Sequence, residues 1–571
     1  MCGIYCHISA TRHVELDACS AEVLGRRGPD ALKVHKAVVH VGMRSWYLTF
    51  VSSVLSLRGE QIQEQPILDT SSGSILCWNG EAWSFDRQEI CDNDTQLVSK
   101  HLFAATGSAQ PELAVLEVLS KISGPYAFVF FDAKSSKLYF GRDNLGRRSL
   151  LVDQSINTGE LTISSVSLTA TDRVFHEAET LSVWSIDLSE PQLVPFPHQF
   201  NILPRINKAL PASHDKLDDK PSTKAIHDLL ENLTNSIRLR VQAIPTYTSS
   251  SDVTSPSKVA VLFSGGLDCT LLARLVHQIL PIGEPVDLLN VAFENPRVKA
   301  ARATSHNLGQ PLSDTDTYES CPDRITGRSS LTELVKVCPG RTWRFVVINI
   351  PYDEFVEHKR TIIELMYPHN TEMDLSITAA LYFAARGQGT MSIGDVNVPA
   401  VTYTTTARVL LSGLGADELF GGYARHAAAF TRGGYEALND ELELDFNRIG
   451  TRNLGRDDRV IAHWGRETRY PFLDESFVEF ALGLPAWEKC GFRSGKVVLK
   501  HFEAVPVQEK MGDLHPEKML LRCAMWQLDM KGAAAEKKRA IQFGARTAKM
   551  LGGRTKGTDI VTIDDVVTNA T

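Results

Sequence analysis

Residues Val261–Thr270 read VLFSGGLDCT, and the fold turns on what this stretch is. It completes VAVLF (Val259–Phe263), a short β-branched run suited to a buried parallel strand. Ser264, Gly265 and Gly266 interrupt that run, and LLARLVHQIL (Leu271–Leu280) follows as a helix. Strand, glycine turn and helix in that order converge backbone N–H groups on one point, where the helix dipole also favours negative charge. The stretch is therefore a candidate phosphate cradle. It lacks the GxxxxGK(S/T) spacing of a Walker loop and the GxGxxG spacing of a dinucleotide-binding turn.

Working outward, helix and strand patterns alternate on the C-terminal side, which predicts α/β architecture over 258–551. MDLSITAALYFAARG (Met373–Gly387) reads as a helix and ARVLLSGLG (Ala407–Gly415) as a strand with its loop. On the N-terminal side, TYTSSSDVTSPSK (Thr246–Lys258) and NKALPASHDKLDDKPSTK (Asn207–Lys224) are polar and aperiodic. Between them Ile226, Leu229, Leu230, Leu233, Ile237 and Val241 recur at helical spacing, so 201–257 is expected to be a linker with a connecting helix over 223–243. Residues 1–200 read as strands and turns. GPYAFVFFD (Gly124–Asp132) and KLYFGRD (Lys137–Asp143) form a predicted hairpin, and SGSILCWNGE (Ser72–Glu81) a strand ending on Asn-Gly. The polar tail, 552–571, is expected to be structureless.

Bulk numbers narrow the function classes. A chain of 571 residues exceeds one core and implies two or three domains. The net charge of −8 argues against nucleic acid or an anionic membrane as partner. No run approaches the ~20 apolar residues of a membrane span, and the first residues lack a signal peptide's basic start and apolar stretch. Ten cysteines without CxxC spacing speak against zinc and for a reducing compartment, with the cytoplasm as the expected location. Oligomeric state is left open.

The chain opens MCGIYCHISA. Removal of Met1 would give Cys2 a free α-amine, and one residue would then supply both a thiol nucleophile and an adjacent base. A buried small hydrophobe is the other reading of Cys2. RRGPD (Arg26–Asp30), WNGE (Trp78–Glu81), NDT (Asn93–Thr95) and GRDNLGRRSL (Gly141–Leu150) follow in order. Together with MCGI they resemble the glutaminase domain of the class II glutamine amidotransferases. The resemblance implies an N-terminal-nucleophile hydrolase fold, an αββα sandwich, over 1–200. It implies Cys2 as nucleophile, Asn79 and Gly80 as oxyanion donors, and Glu81 and Asp94 as the glutamine-binding acids. The family carries an arginine for the glutamine carboxylate where this chain has Val54, in VLSLRG, with Arg58 four residues on as a candidate substitute.

The second half carries its own resemblance. SGGLD matches the signature of the PP-loop ATP pyrophosphatases at Ser264, Gly265, Gly266 and Asp268, with Cys269 replacing the usual serine. LLSGLGADELFGGYARH (Leu410–His426), RNLGRDDRV (Arg452–Val460) and GRETRYPFLD (Gly465–Asp474) resemble asparagine synthetase. DRITGRSSLTEL (Asp323–Leu334) and RAIQFGAR (Arg539–Arg546) are more similar to a divergent eukaryotic branch, the asparagine synthetase domain-containing proteins. What this implies is ATP bound by Ser264–Cys269, and Mg²⁺ held by Asp268 and Asp417, with Glu418 beside them. The implied reaction makes asparagine from aspartate through aspartyl-AMP, using ammonia from glutamine. Leu414 stands where relatives have a glutamate, and Ala540 where they have a lysine, for which Lys538 or Arg539 are the nearest substitutes. Two alternatives stay open: a catalytically weakened scaffold, or an amidotransferase for another carboxylate.

Overall fold

The computed structural model describes residues 2–153, 159–168, 174–200, 203–212, 218, 220–245, 255–298, 314–393, 401–493, 514–550 and 556–562. Parts of the two aperiodic stretches (213–217, 219 and 246–254) and most of the tail lie outside the described residues.

The N-terminal half is built on two antiparallel six-stranded sheets. The first has Gly3–Ser9 between Glu160–Ser164 and Arg44–Val54, with Ala31–Val41 at its edge. The second centres on the predicted hairpin, observed as Tyr126–Asp132 against Lys137–Arg142, with Ile75–Gly80 alongside. Alternation along each strand sends one set of side chains inward. Ile4, Cys6, Ile8, Leu48 and Phe50 from one sheet thus meet Ile75, Cys77, Ala127, Val129 and Leu138 from the other. The outer faces are covered by helices. Ala18–Arg27 lies on the first sheet through Leu24, and Asp94–Ala105 with Pro111–Ser120 on the second through Val98, Leu102, Val115 and Leu119. The result is the expected four-layer αββα arrangement.

The C-terminal half is a seven-stranded sheet in the order Val401–Thr404, Gln388–Ile393, Trp343–Ile350, Val286–Phe293, Val259–Leu262, Val409–Leu411, Glu467–Arg469. The last five are mutually parallel. Residues alternate between two cores, with Val259 and Val261 on one face and Ala260 on the other. Strand order reverses at Val259–Leu262, and the crevice at such a reversal is where open α/β sheets bind ligands. The glycine loop leaves that strand.

The helix predicted over 223–243 runs Thr223–Val241. Its apolar stripe, Ile226, Leu229, Leu233 and Ile237, enters the core of the C-terminal half beside Leu267–Ile279 and Met519–Gln527. Each such side chain contributes roughly 1.5–3 kcal/mol on burial, so the helix is a structural member of that half. The tail is not wholly structureless: Ile560 bridges Thr371, and Val561 N–H donates to Asn370 O at 2.7 Å.

Candidate functional site

Cys2 precedes the central strand of the first sheet and is buried. Its N–H donates to Asn79 Oδ1 at 2.9 Å, and its carbonyl accepts from Arg27 Nε at 3.2 Å. With Oδ1 thus occupied, Asn79 Nδ2 is left buried without a hydrogen-bond partner. Gly80 ends the Ile75–Gly80 strand where a Cβ would come 2.7 Å from Tyr126 Cβ, so only glycine fits. Gln65, which the sequence reading did not single out, accepts from Trp78 N–H at 2.7 Å and points Nε2 at Cys2 Sγ, 4.0 Å away. Burial pushes the thiol up from its ordinary range.

Asp94 is the first residue of its helix, N-capped by Asn93. Its Oδ2 accepts from Trp78 Nε1 at 3.2 Å and Ala82 N–H at 2.9 Å. Glu81 lies between two guanidinium groups, with Oε1 3.2 Å from Arg469 Nη2 and Oε2 3.7 Å from Arg58 Nε. Burial, reinforced by the Glu467 carboxylate, raises its pKa. Cys2, Asn79, Glu81 and Asp94 thus form one buried polar patch. Val54 is an apolar strand end opposite Ala31. Arg58 is committed to backbone: Nη1 donates to Ala82 O at 2.6 Å and Nη2 to Ile90 O.

At the glycine loop, Gly265 has φ +78°, and a Cβ there would stand 2.3 Å from Gly327 N. The loop is buttressed by the Pro322–Val337 helix, whose Thr326 and Ser330 hydroxyls donate to Ser264 O (3.1 Å) and Gly265 O (2.7 Å). The DRITGRSS stretch therefore shapes the loop. Cys269 Sγ donates to Gly266 O at 3.3 Å and lies 3.5 Å from Ser264 Oγ.

Asp268 and Asp417 meet around Lys518, whose Nζ is 2.6 Å from Asp268 Oδ2 and 2.8 Å from Asp417 Oδ1. Both carboxylates are pushed up by burial, but the Lys518 ammonium wins at Asp417 and holds it below its usual range. Burial wins at Asp268, whose Oδ1 has no hydrogen-bond partner. Glu418 accepts from Tyr423 OH at 2.6 Å, and burial beside Asp417 raises it to about 6. Of the two candidate substitutes for Ala540, Lys538 reaches Asp417 at 3.6 Å, whereas Arg539 pairs with Glu536 at 3.1 Å. Leu414 packs against the apolar core. Lys518 escaped the sequence reading because it sits at φ +55°, just before a helix, with nothing in its local pattern to mark it.

The quoted arginine-rich motifs prove to be the junction between the halves. Arg27 pairs with Asp458 at 2.6 Å, both side chains fully buried. Arg148 Nη2 pairs with Glu467 at 3.1 Å, Arg459 with Glu177 at 2.6 Å, and Arg408 with Asp30 at 2.6 Å. One strand links the two sites directly. Arg469 contacts Glu81, and its carbonyl accepts from Ser412 N–H at 3.0 Å, at the start of the loop that carries Leu414 and Asp417.

Comparison with known proteins agrees with both halves. The glutamine amidotransferase domain family matches residues 1–178, and the asparagine synthase family matches 387–437 and 431–542. A Bos taurus protein, asparagine synthetase domain-containing protein 1, is 32% identical over 98% of this chain and 97% of its own. An asparagine synthetase domain-containing protein of Saccharomyces cerevisiae is 33% identical over 91% of this chain and 87% of its own. The glutamine-hydrolyzing asparagine synthetase of Gallus gallus is 22% identical over 85% and 77%. With its motifs in order and near-full-length relatives above 30% identity, the chain belongs to the asparagine synthetase domain-containing proteins, a family that joins a glutamine amidotransferase domain to an asparagine synthase domain.

Proposed function

We propose that the protein is an ATP-dependent, glutamine-hydrolysing amidotransferase that makes asparagine from aspartate through aspartyl-AMP. The observation that carries this reading is the strand Glu467–Arg469, which touches the Cys2 patch through Glu81 and the acidic loop through Ser412. Two patches serving unrelated purposes would have no need of a shared strand.

In the first half-reaction Cys2 Sγ attacks the carboxamide carbon of glutamine. The oxyanion is received by Asn79 Nδ2, whose unmet donor suits it, and by Gly80 N–H. The C–N bond breaks, the thiol proton leaves with ammonia, and water cleaves the thioester to glutamate. Glu81 and Asp94 receive the α-ammonium. In the second half the Ser264–Cys269 loop binds the phosphates of ATP. Asp268 and Asp417 would hold Mg²⁺, which neutralises phosphate charge when bound. Mg²⁺ commonly takes one or two carboxylates plus phosphate oxygens, and the unpartnered Asp268 Oδ1 fits that role. The side-chain carboxylate of aspartate attacks the α-phosphorus of ATP and expels pyrophosphate, and ammonia passing between the halves then attacks the acyl carbon of aspartyl-AMP and displaces AMP. All ten cysteines are free thiols, which supports a cytoplasmic location, and among the described residues no helix is long and apolar enough to cross a membrane.

The test is pyrophosphate release by Met1-processed protein with MgATP, aspartate and either glutamine or ammonium, with asparagine quantified in parallel. Joint appearance of both products is expected, and Cys2→Ala should abolish the glutamine-dependent reaction alone. A second reading is favoured by Leu414, which places an apolar side chain where relatives carry an acid: another carboxylate acceptor, or a scaffold with slow turnover. Pyrophosphate formed with a different carboxylate would select the first of these, and none with any carboxylate the second.

A further inference from the structure

We infer that Arg469, carried by the synthetase half, receives the α-carboxylate of glutamine, so that neither half alone forms a complete glutamine site. The inference rests on the glutaminase reading above. Ammonium and carboxylate of an amino acid share one carbon, so their receptors must be neighbours. With Glu81 and Asp94 taking the ammonium, the carboxylate receptor must be a cation beside Glu81. Val54 supplies none. Arg58 is beside Glu81, but both its terminal nitrogens already bind the carbonyls of Ala82 and Ile90.

Arg469 is differently placed. Its Nε donates to Glu467 at 2.6 Å and its Nη1 to Arg240 O at 2.7 Å, while the buried Nη2 faces Glu81 Oε1 at 3.2 Å as an ion pair without hydrogen-bond geometry. Asn79 Nδ2 and Glu81 Oε2 also make no hydrogen bond. Many buried polar side-chain atoms of this chain make no hydrogen bond, and what sets these three apart is that Cys2, Asn79, Glu81 and Arg469 lie on one patch. Here the three demands are donor, donor and acceptor, and an amino-acid amide answers them with carboxamide oxygen, carboxylate and ammonium. Arg469 is also held still, its guanidinium 5.0 Å from the Trp83 ring, which Arg58 and Arg240 flank at 5.5 and 5.2 Å. An incoming ammonium would draw Glu81 away from Arg469, freeing Nη2 for the carboxylate.

The test uses the full-length, Met1-processed protein and follows modification of Cys2 by mass spectrometry with two probes. One is a diazoketone analogue of L-glutamine, which carries the α-amino and α-carboxylate groups; the other is iodoacetamide, which carries neither. Arg469→Gln should raise the half-saturating concentration of the analogue by roughly 10- to 100-fold, the worth of a hydrogen bond to a charged group. The iodoacetamide rate should stay within about twofold, because that probe needs no such contact. Arg469→Lys keeps the charge but loses the planar fork, so it should fall between wild type and Arg469→Gln, and it covers the case in which the latter fails to fold. Equal slowing with both probes would mean a purely structural arginine and overturn the inference. So would a shift produced by Arg58→Lys and not by either Arg469 variant. Wild-type protein whose labelling by the analogue does not saturate would overturn the glutaminase reading, and this inference with it.

Discussion

Arg469, at the end of the Glu467–Arg469 strand, stands between two differently finished sites, its side chain toward one and its carbonyl toward the loop of the other. Around Cys2, Asn79 Nδ2, Glu81 Oε2 and Arg469 Nη2 make no hydrogen bonds, and Glu81 meets Arg469 and Arg58 only as ion pairs at 3.2 and 3.7 Å. At the glycine loop, Asp268 and Asp417 already share the Lys518 ammonium, with Lys538 behind it. The first patch is shaped for a ligand that brings its own donors and acceptors. The second carries its own counter-charge, and an anionic ligand there gains a lysine as the acids turn to a cation. Loss of a charged group should therefore have opposite consequences at the two sites.

The largest effect is expected at Lys518. Lys518→Met leaves two partly buried carboxylates, 22–23% exposed, with only Lys538 nearby; uncompensated buried charge typically costs about 3–5 kcal/mol, and this exposure places the loss at the lower end of that range. Urea unfolding should show that loss, and added Mg²⁺ should recover part of it by occupying the vacated position between Asp268 and Asp417. Unchanged stability would mean that Lys518 is not what neutralises the pair.

The junction between the sites gives the next effect, through pH. His369 and His463 are both pushed down to about 4 by burial, His369 further by Arg459 and Arg456, His463 by Arg26. The unfolded chain takes up protons on these rings near 6.5, so the folded state keeps its full advantage above that pH and loses it as pH falls toward 4. Two such groups, one partly exposed, should lower stability by roughly 2 kcal/mol between pH 7 and 5. Glu177 behaves oppositely. Burial pushes it up, but Arg459 and Arg142 hold it at about 2, so its contribution is present above its ordinary 4.5 and fades only as pH falls toward 2. A urea midpoint that is flat from pH 7 to 5 would contradict the histidine assignment while leaving Glu177 untouched.

Glu81→Gln sharpens the contrast at the other site. Glu81 is buried, its Oε2 makes no hydrogen bond and lies 3.7 Å from Arg58 Nε, and its pKa is raised, so the ionised form disfavours folding at pH 7. An isosteric neutral amide should leave stability unchanged or raise it by about 1 kcal/mol, while glutamine affinity falls. A loss of several kcal/mol would show that the ion pair with Arg469 holds the fold together, not the ligand.

What the sequence disclosed and what it hid divide along the same line. The Cys2 end, the Asn79–Gly80 strand end and the SGG loop were legible because each packs its chemistry into a few consecutive residues. Asp94 was legible only through the NDT motif of the family, and the helix that it opens was not read from the sequence. The partners that complete these sites were not. Arg27 meets Asp458 across 431 residues, and Lys518 meets Asp268 across 250, distances over which no period or spacing carries information. RRGPD, GRDNLGRRSL, RNLGRDDRV and GRETRYPFLD read as motifs of a family, but only the fold shows that they are halves of buried ion pairs. The Thr223–Val241 helix was visible from its period, yet its place in the C-terminal core was not, because aperiodic polar stretches flank it on both sides.

The smallest effect concerns Cys269, the one departure within the glycine loop itself. Its thiol is buried, and burial raises its pKa, so it stays protonated and donates weakly to Gly266 O while lying beside Ser264 Oγ. Cys269→Ser replaces a weak donor with a hydroxyl, at the position where the PP-loop signature has serine. The hydroxyl is smaller than the thiol and must reach the same carbonyl across a 3.3 Å gap set for sulfur, so the gain should be modest. A two- to fivefold lower KM for ATP, about 0.4–1 kcal/mol, is expected from one improved hydrogen bond. A higher KM would mean that the loop has settled around sulfur, with Gly266 held where only the longer contact fits. The departure from serine would then be an adaptation of this loop, not a weakening of it.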